Sequence, residues 1–337
     1  MAVKTVIKTD KQKRPFCCDM LIMLILPAVM AWYYYGGSVL RTVFVCMLTG
    51  VLSETAGAFF MRCPRDLGDC SSLFTGAAMA LMLPADFPVW AAAAGVVFAV
   101  AAVKLPLGGT GFSPFNPVAA GFSFLCLCWP DKIFNYPAID TGSGYVKGAS
   151  LAGMLSVNTS IRPNTINVFD IFTGNVPGPA GASCIIVLLG CAVFLGFSRR
   201  RSLINSAGFT AACALFALMF PRVYSYNARP VSLLMELCSG LLMFSALFLV
   251  TDPAVSPEKP FHRFLYGAFS GAACMLLRYF GKFEEGVCFA LLLSNAMWPP
   301  LYERILRRES KRELRKRVKR RSKNRALSAE RRAPDNA

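Results

Sequence analysis

"PLGGTGFSPFNPVAAGF", residues 106–122, joins one apolar run to the next. No uninterrupted helix passes through it. Gly108, Gly109 and Gly111 permit positive φ, and Pro114 and Pro117 each remove a backbone donor. A helix is expected to restart at "NPVAAGF", with Asn116 as its N-cap and Pro117 in its first turn. A break of this kind at membrane depth survives only where protein buries it or where it lines a cavity. Its exposed helix N-terminus would favour an anionic or polar ligand. The alternative reading is a tight turn outside the bilayer.

The rest of the chain supplies the context. It has 337 residues, 55% of them hydrophobic and only 16% charged, where a soluble domain carries roughly 25% charged residues. The apolar residues come in runs. This composition predicts an all-α integral membrane protein with one membrane domain and no long soluble tract. A spanning helix needs about 20 apolar residues. On that basis about ten transmembrane helices are expected, at 17–35, 38–60, 71–86, 88–106, 114–130, 180–198, 202–220, 230–250, 262–280 and 285–302. "LFTGAAMALM" (73–82) and "LCSGLLMFSA" (237–246) share a glycine and methionine spacing at Gly76/Met79 and Gly240/Met243. They fall on the third and eighth helices, which suggests two inverted five-helix repeats. Gly267 and Gly271 form a GxxxG pair, a signal for close helix packing.

Loop charges set the orientation. Arg62, Arg65, Lys104, Arg199, Arg200, Arg201, Lys259 and Arg263 fall in one set of connections, together with both termini. "YYYGGS" and "PADFP", in the opposite set, carry no Lys or Arg, while "PRVYSYNARP", "RYFGKFEEG" and the loop 131–179 (Lys132, Lys147, Arg162) in that set carry a few. Both termini are therefore expected in the cytoplasm and the long loop 131–179 outside. The organisation predicted is a cytoplasmic segment over 1–16, a membrane domain over 17–302 and a basic tail over 303–337. From Glu303 onward there are 15 Lys/Arg against 5 Asp/Glu. Such a tail anchors topology against anionic lipid or docks an acidic partner. It has no aromatic residues for base stacking, so nucleic acid is not an expected partner.

The chain has 13 cysteines and one histidine, His262. Most of the cysteines lie in apolar runs and there is no CxxC pair, so they read as packing residues. No metal site is expected. "LVTDPAVSPEKP" (249–260) holds the place after the eighth expected helix that 106–122 holds earlier. Asp252 and Ser256 can bond their own backbone there, and Pro253 and Pro257 stop the helix. Four acids, Asp19, Glu54, Glu236 and Asp252, lie in or at the ends of apolar runs, where ionisable groups mark a pathway or a partner. Glu54 is the most deeply placed. It serves either an ion path or a structural ion pair.

At these stretches the chain resembles a known family. "LGDCSSLFTGAAMALMLP" (67–84), "KLPLGGTGFSPFNPVAAGFSFL" (104–125), "DIFTGNVPGPAG" (170–181), "LVTDPAVSPEKPFHRFLYGAFSG" (249–271) and "GVCFALLLSNAMWPPLYER" (286–304) are similar to the RnfD/NqrB family. These are the flavin-bearing membrane subunits of ion-translocating electron-transport complexes. The resemblance covers roughly residues 15–305 and leaves out the basic tail.

The resemblance implies an FMN joined by a phosphoester bond to a hydroxyl on an external loop, attached by a flavin transferase. Family members use a threonine in a Ser-Gly-Ala-Thr motif. The corresponding residues here are Lys147, Gly148, Ala149 and Ser150, so serine replaces the acceptor and lysine the leading serine. The aspartate expected six residues before the acceptor is replaced by Gly144. Read without the family, Ser150 is a helix N-cap. The resemblance also leaves room for a second, noncovalent flavin (riboflavin) within the membrane domain. Lys147, Gly148, Ala149 and Asn116 are the cofactor-binding candidates beside Ser150.

The implied function is electron carriage within a ferredoxin:NAD oxidoreductase complex that moves Na⁺ or H⁺, in a bacterial cell membrane. Other membrane and peripheral subunits would be its partners. The chain is not catalytic alone and no catalytic residue is assigned. Glu54 and Asp252 are the polar groups chosen for an ion path. A solute channel or transporter, and a flavin-free structural subunit of the same complex, are the other readings.

Overall fold

A computed structural model describes residues 2–60, 70–107, 113–137, 150–156, 168–222, 228–281 and 284–307. It consists of two units, Met1–Asn295 and Ala296–Ala337. In chain order the helices are α1 (Ala2–Tyr35), α2 (Gly37–Phe60), α3 (Ser71–Met82), α4 (Val89–Val97), α5 (Pro117–Cys128), the single turn α6 (Pro130–Ile133), α7 (Leu151–Ser156), α8 (Val168–Thr173), α9 (Ile185–Ser198), α10 (Arg200–Met219), α11 (Ala228–Leu237), α12 (Leu242–Phe248) and α13 (Pro260–Phe280). Residues 287–295 are also helical. In the second unit, 296–307 are helical and Trp298 stacks on Tyr302.

Among the described residues, three helical segments are long and apolar enough to cross a membrane: Phe16–Tyr35, Gly37–Phe60 and Arg200–Met219. A fourth is reached by pairing Arg229–Leu237 with Leu242–Phe248, which are bent by 56° at the break between them. This makes a multi-pass helical membrane protein. It also corrects the expectation of about ten transmembrane helices. The apolar runs are present, but they do not become spans of full length. Ser71–Met82 has 12 residues, Pro117–Cys128 has 12 and Ile185–Ser198 has 14. At about 1.5 Å per residue these reach ~18–21 Å, short of the ~30 Å hydrocarbon core. The extended Leu83, followed by Pro84, ends the first of these, and Pro117 fixes the late start of the second. α13 has 21 residues but buries His262 and Arg278 within its length.

The inverted five-helix repeat is overturned on the same grounds. Gly76 sits inside an unbroken α3, where an added Cβ would collide with the Cys46 carbonyl oxygen. Gly240 sits at the break after α11, with φ +58°. The shared spacing therefore builds two different local structures.

Close backbone approach organises the packing. Gly50 and Gly76 let α2 and α3 meet at the backbone, and a Cβ on Gly50 would reach the Ser72 carbonyl at 2.7 Å. In the other half, Gly267 and Gly271 of the GxxxG pair face Asn205 and Phe209 of α10, with Gly208 facing Phe264 in return. Large apolar side chains on the outer faces of α1 and α2, such as Ile25, Val29, Phe44 and Leu52, are exposed. Unpartnered apolar faces of this extent on membrane-length helices suit hydrocarbon rather than water.

Candidate functional site

The two broken stretches meet. α4 runs into a π-helical turn, Phe98–Lys104, closed by the Leu105 N–H donating to the Val100 carbonyl at 3.0 Å. The wider turn ends on Lys104, which is buried. Its ammonium pairs with Glu54 of α2 at 2.8 Å and donates to the Ser72 hydroxyl at 3.0 Å and to the Ser71 hydroxyl. Ser72 in turn donates to the Glu54 carboxylate. Removing either partner would leave the other's charge buried and unpaired. Glu54 therefore lies in an ion pair. Lys104, read from sequence as a loop charge, is the residue of that pair that reaches the cavity described next.

α5 begins as its sequence predicts. The Asn116 side-chain oxygen accepts from the N–H groups of Val118 (3.0 Å) and Ala119 (3.2 Å), and Pro117 occupies the first turn. The Asn116 amide also donates to the Leu249 carbonyl at 3.2 Å. One side chain thus caps α5 and ties it to the end of α12. Beyond α12, the Asp252 carboxylate accepts the Ala254 N–H at 2.8 Å, and the Ser256 hydroxyl donates to the Asp252 carbonyl at 2.7 Å. Asn205 of α10 donates to the Val250 carbonyl at 3.1 Å and to the Ser256 hydroxyl at 2.5 Å.

Between these stretches lies a cavity of about 590 Å³, counted to its open mouth. Phe74 and Phe248 give it aromatic wall, and Thr75, Lys104, Asn116 and Asp252 give it polar groups. An apolar chamber with a few convergent polar groups is the usual form of a small-molecule site.

Ser150 stands elsewhere, at the start of α7, and is 1% exposed. Its hydroxyl accepts the Gly153 N–H at 3.0 Å, and its carbonyl accepts the Met154 N–H at 2.9 Å. That is N-cap geometry. The same hydroxyl donates to the Glu284 carboxylate. Lys147, Gly148 and Ala149 lie outside the described residues, as does Gly144.

Behind Ser150 is a buried charge network that the sequence reading did not assemble. Arg278 of α13 pairs with Glu236 of α11 at 3.3 Å and donates to the Ser239 hydroxyl at 2.6 Å. Arg222 approaches Glu236 at 3.6 Å, lies 3.6 Å from the Tyr279 ring centre and donates to the Leu155 carbonyl at 3.2 Å. α7 is thus held at one end by Glu284 and at the other by Arg222. Glu285 accepts the Leu241 N–H at 3.0 and 3.1 Å, at the break between α11 and α12. Burial pushes the Glu285 carboxyl up to about 8, against the opposing pull of Arg278 and the Leu241 N–H. Burial also raises Glu284, partly offset by the Ser150 hydrogen bond. The sequence did carry a signal for Glu236, an acid at the end of an apolar run. Nothing local marked Glu284 and Glu285, which stand in a polar loop.

A multi-pass helical membrane protein built around interrupted helices, with a cavity where the interruptions meet, is the class that fold and site define. The model of the NQR2, RnfD, RnfE family matches residues 1–311, and the chain belongs to that family. It is 29% identical over 290 residues to the D-type component of the Na(+)-translocating ferredoxin:NAD(+) oxidoreductase complex of Acetobacterium woodii, covering 85% of this chain and 87% of that one. It is 26% identical over 332 residues to the D-type component of an ion-translocating oxidoreductase complex of Cronobacter sakazakii, covering 86% and 93%. Similarity to the B-type component of the Na(+)-translocating NADH-quinone reductase of Klebsiella pneumoniae is 31% over 254 residues, covering 70% and 61%.

Proposed function

We propose that this chain is the flavin-bearing, electron-carrying membrane subunit of a ferredoxin:NAD oxidoreductase complex that moves Na⁺ or H⁺ across a bacterial cell membrane. Family membership supports the complex, since relatives carry that description. The observation that carries the reading is the convergence of the two broken, family-like stretches on one cavity. Both termini would lie in the cytoplasm, with the remaining subunits and a flavin transferase as partners.

Two sites for flavin follow. The cavity offers aromatic wall at Phe74 and Phe248 and hydrogen-bonding groups at Thr75, Lys104 and Asp252, a donor set that suits a noncovalent flavin ring. Asn116 shapes that wall by fixing the start of α5. Ser150 is the hydroxyl for a covalent FMN, and bound flavin supplies the electron chemistry that side chains lack. In the free state Ser150 spends its proton on Glu284. An ester oxygen has no proton to donate, so attachment breaks that hydrogen bond. Asp252, at the cavity wall, and Glu54, through Lys104, are the groups proposed beside an ion path.

The burial of Ser150 and its two hydrogen bonds favour a second reading, a flavin-free structural subunit of the same complex. Intact mass after co-expression with a flavin transferase separates the two. A gain of one FMN less one water, absent in Ser150→Ala, is the expected result. An unmodified chain in an assembled complex would leave the structural reading standing instead. Flavin released by denaturing Ser150→Ala reports on the cavity separately.

A further inference from the structure

A second cavity is larger than the one between the broken stretches. It lies where α9 turns into α10 and encloses about 1200 Å³, counted to its open mouth. Arg199, Arg200, Arg201 and Arg263 line it, with Glu258 as the acid in its wall. Arg199 is occupied by Asp19 of α1 at 2.9 Å. Arg263 donates to the Pro257 carbonyl at 2.7 Å, which satisfies a donor but leaves its charge. Burial and the neighbouring Arg201 charge lower the pKa of Arg263. Four guanidinium groups against Asp19 and Glu258 leave two positive charges uncompensated. Among the described residues Arg200 and Arg201 are paired with no carboxylate. α10 begins at Arg200 with no side-chain cap and no acid in its first turn to offset these charges.

The surroundings choose the ligand. α10 is membrane-length from Arg200 onward, which puts the crevice at the end of a span, at headgroup depth. Val193, Phe194 and Phe197 leave α9 with an exposed apolar ridge beside it, and Phe197 and Phe16 form part of its wall. A soluble anion would have no use for such a ridge, whereas an acyl chain lies along it. Guanidinium groups fit phosphate in a planar, two-donor fashion, and basic pockets between helices near the membrane surface bind anionic lipid headgroups. We propose that this arginine crevice is a binding site for the headgroup of an anionic phospholipid, with its acyl chains along the α9 ridge. A topology signal alone needs the charges but not an enclosing crevice.

Lipid retention tests this. The full chain is reconstituted in nanodiscs of equal phosphatidylglycerol and phosphatidylcholine, stripped in mild detergent, and read by native mass spectrometry. Phosphatidylglycerol is expected to stay bound in preference to phosphatidylcholine. Arg201→Gln with Arg263→Gln should cut that retention about thirtyfold, with unchanged melting in phosphatidylcholine alone. Arg41→Gln, an exposed arginine on α2, should leave retention unchanged. If the double variant does not fold, Arg200→Gln with Arg201→Gln, both at exposed positions, carries the same comparison. Equal retention of both lipids, or retention indifferent to these substitutions, overturns the proposal. So does displacement of the lipid by inorganic phosphate, which would make the site one for a soluble anion.

Discussion

The two helix breaks differ in where their backbone groups find partners. At the first, the donors at the start of α5 are met by Asn116, two and three residues away. At the second, the Leu241 N–H is met by Glu285, 44 residues further along the chain. The first break is locally self-sufficient. The second exists only once α13 and the loop after it have packed, and it draws a carboxylate into the interior to do so. A long-range cap of this kind couples the break to the charge balance around Arg278, and a local cap does not.

This difference ranks the expected effects of perturbation. Arg278→Met leaves Glu236 buried without its main partner and should cost about 3–5 kcal/mol, read as loss of a monodisperse peak and a lower melting temperature in detergent. The Glu285 carboxyl comes next. Its folded pKa, about 8, lies above the ordinary value of 4.5. The folded state therefore holds the proton more tightly. That contribution is fully present below about pH 4.5 and is lost as pH rises towards 8. Stability should fall across pH 5–8 by no more than about 4 kcal/mol. Glu285→Gln should flatten the profile in melts taken across that range, and an unchanged profile would detach Glu285 from the break.

Gly240→Ala should cost about 2–3 kcal/mol, because the residue adopts φ +58° and its Cβ would collide with a Glu285 carboxylate oxygen. Thermal unfolding of this variant, compared with Gly37→Ala, where a Cβ meets open space, isolates the effect. The smallest change is expected at the first break. Asn116→Ala should cost about 1–2 kcal/mol, and Asn116→Asp, which keeps the cap oxygen, should recover the larger part. A loss at Asn116 as large as that at Arg278 would erase the distinction between the two breaks.

The same contrast explains what could be read from the chain. Asn116, Pro117, Asp252 and Ser256 behave as their local patterns predict, because capping and Asx turns act within a few residues. The GxxxG pair on α13 finds backbone to pack against, since small residues at that spacing expose one helix face. The count of spans failed because hydropathy measures apolar content and not helix length. Pro84, Pro117 and Gly240 interrupt runs that are apolar throughout. Lys104 was assigned to a loop by its charge, yet the π-helical turn directs it inward to Glu54.

Sequence alone determined the helical membrane class, the family resemblance, the cap of α5 and the choice of Ser150 as the hydroxyl to watch. Those depend on composition, ordered motifs and contacts a few residues apart. Only the tertiary structure decided that Glu54 has a lysine, that Ser150 faces Glu284, and that Glu285 seals a break in another helix. Buried charges and orphaned backbone groups must be satisfied wherever the packed chain brings a partner within reach, and chain separation carries no trace of that distance.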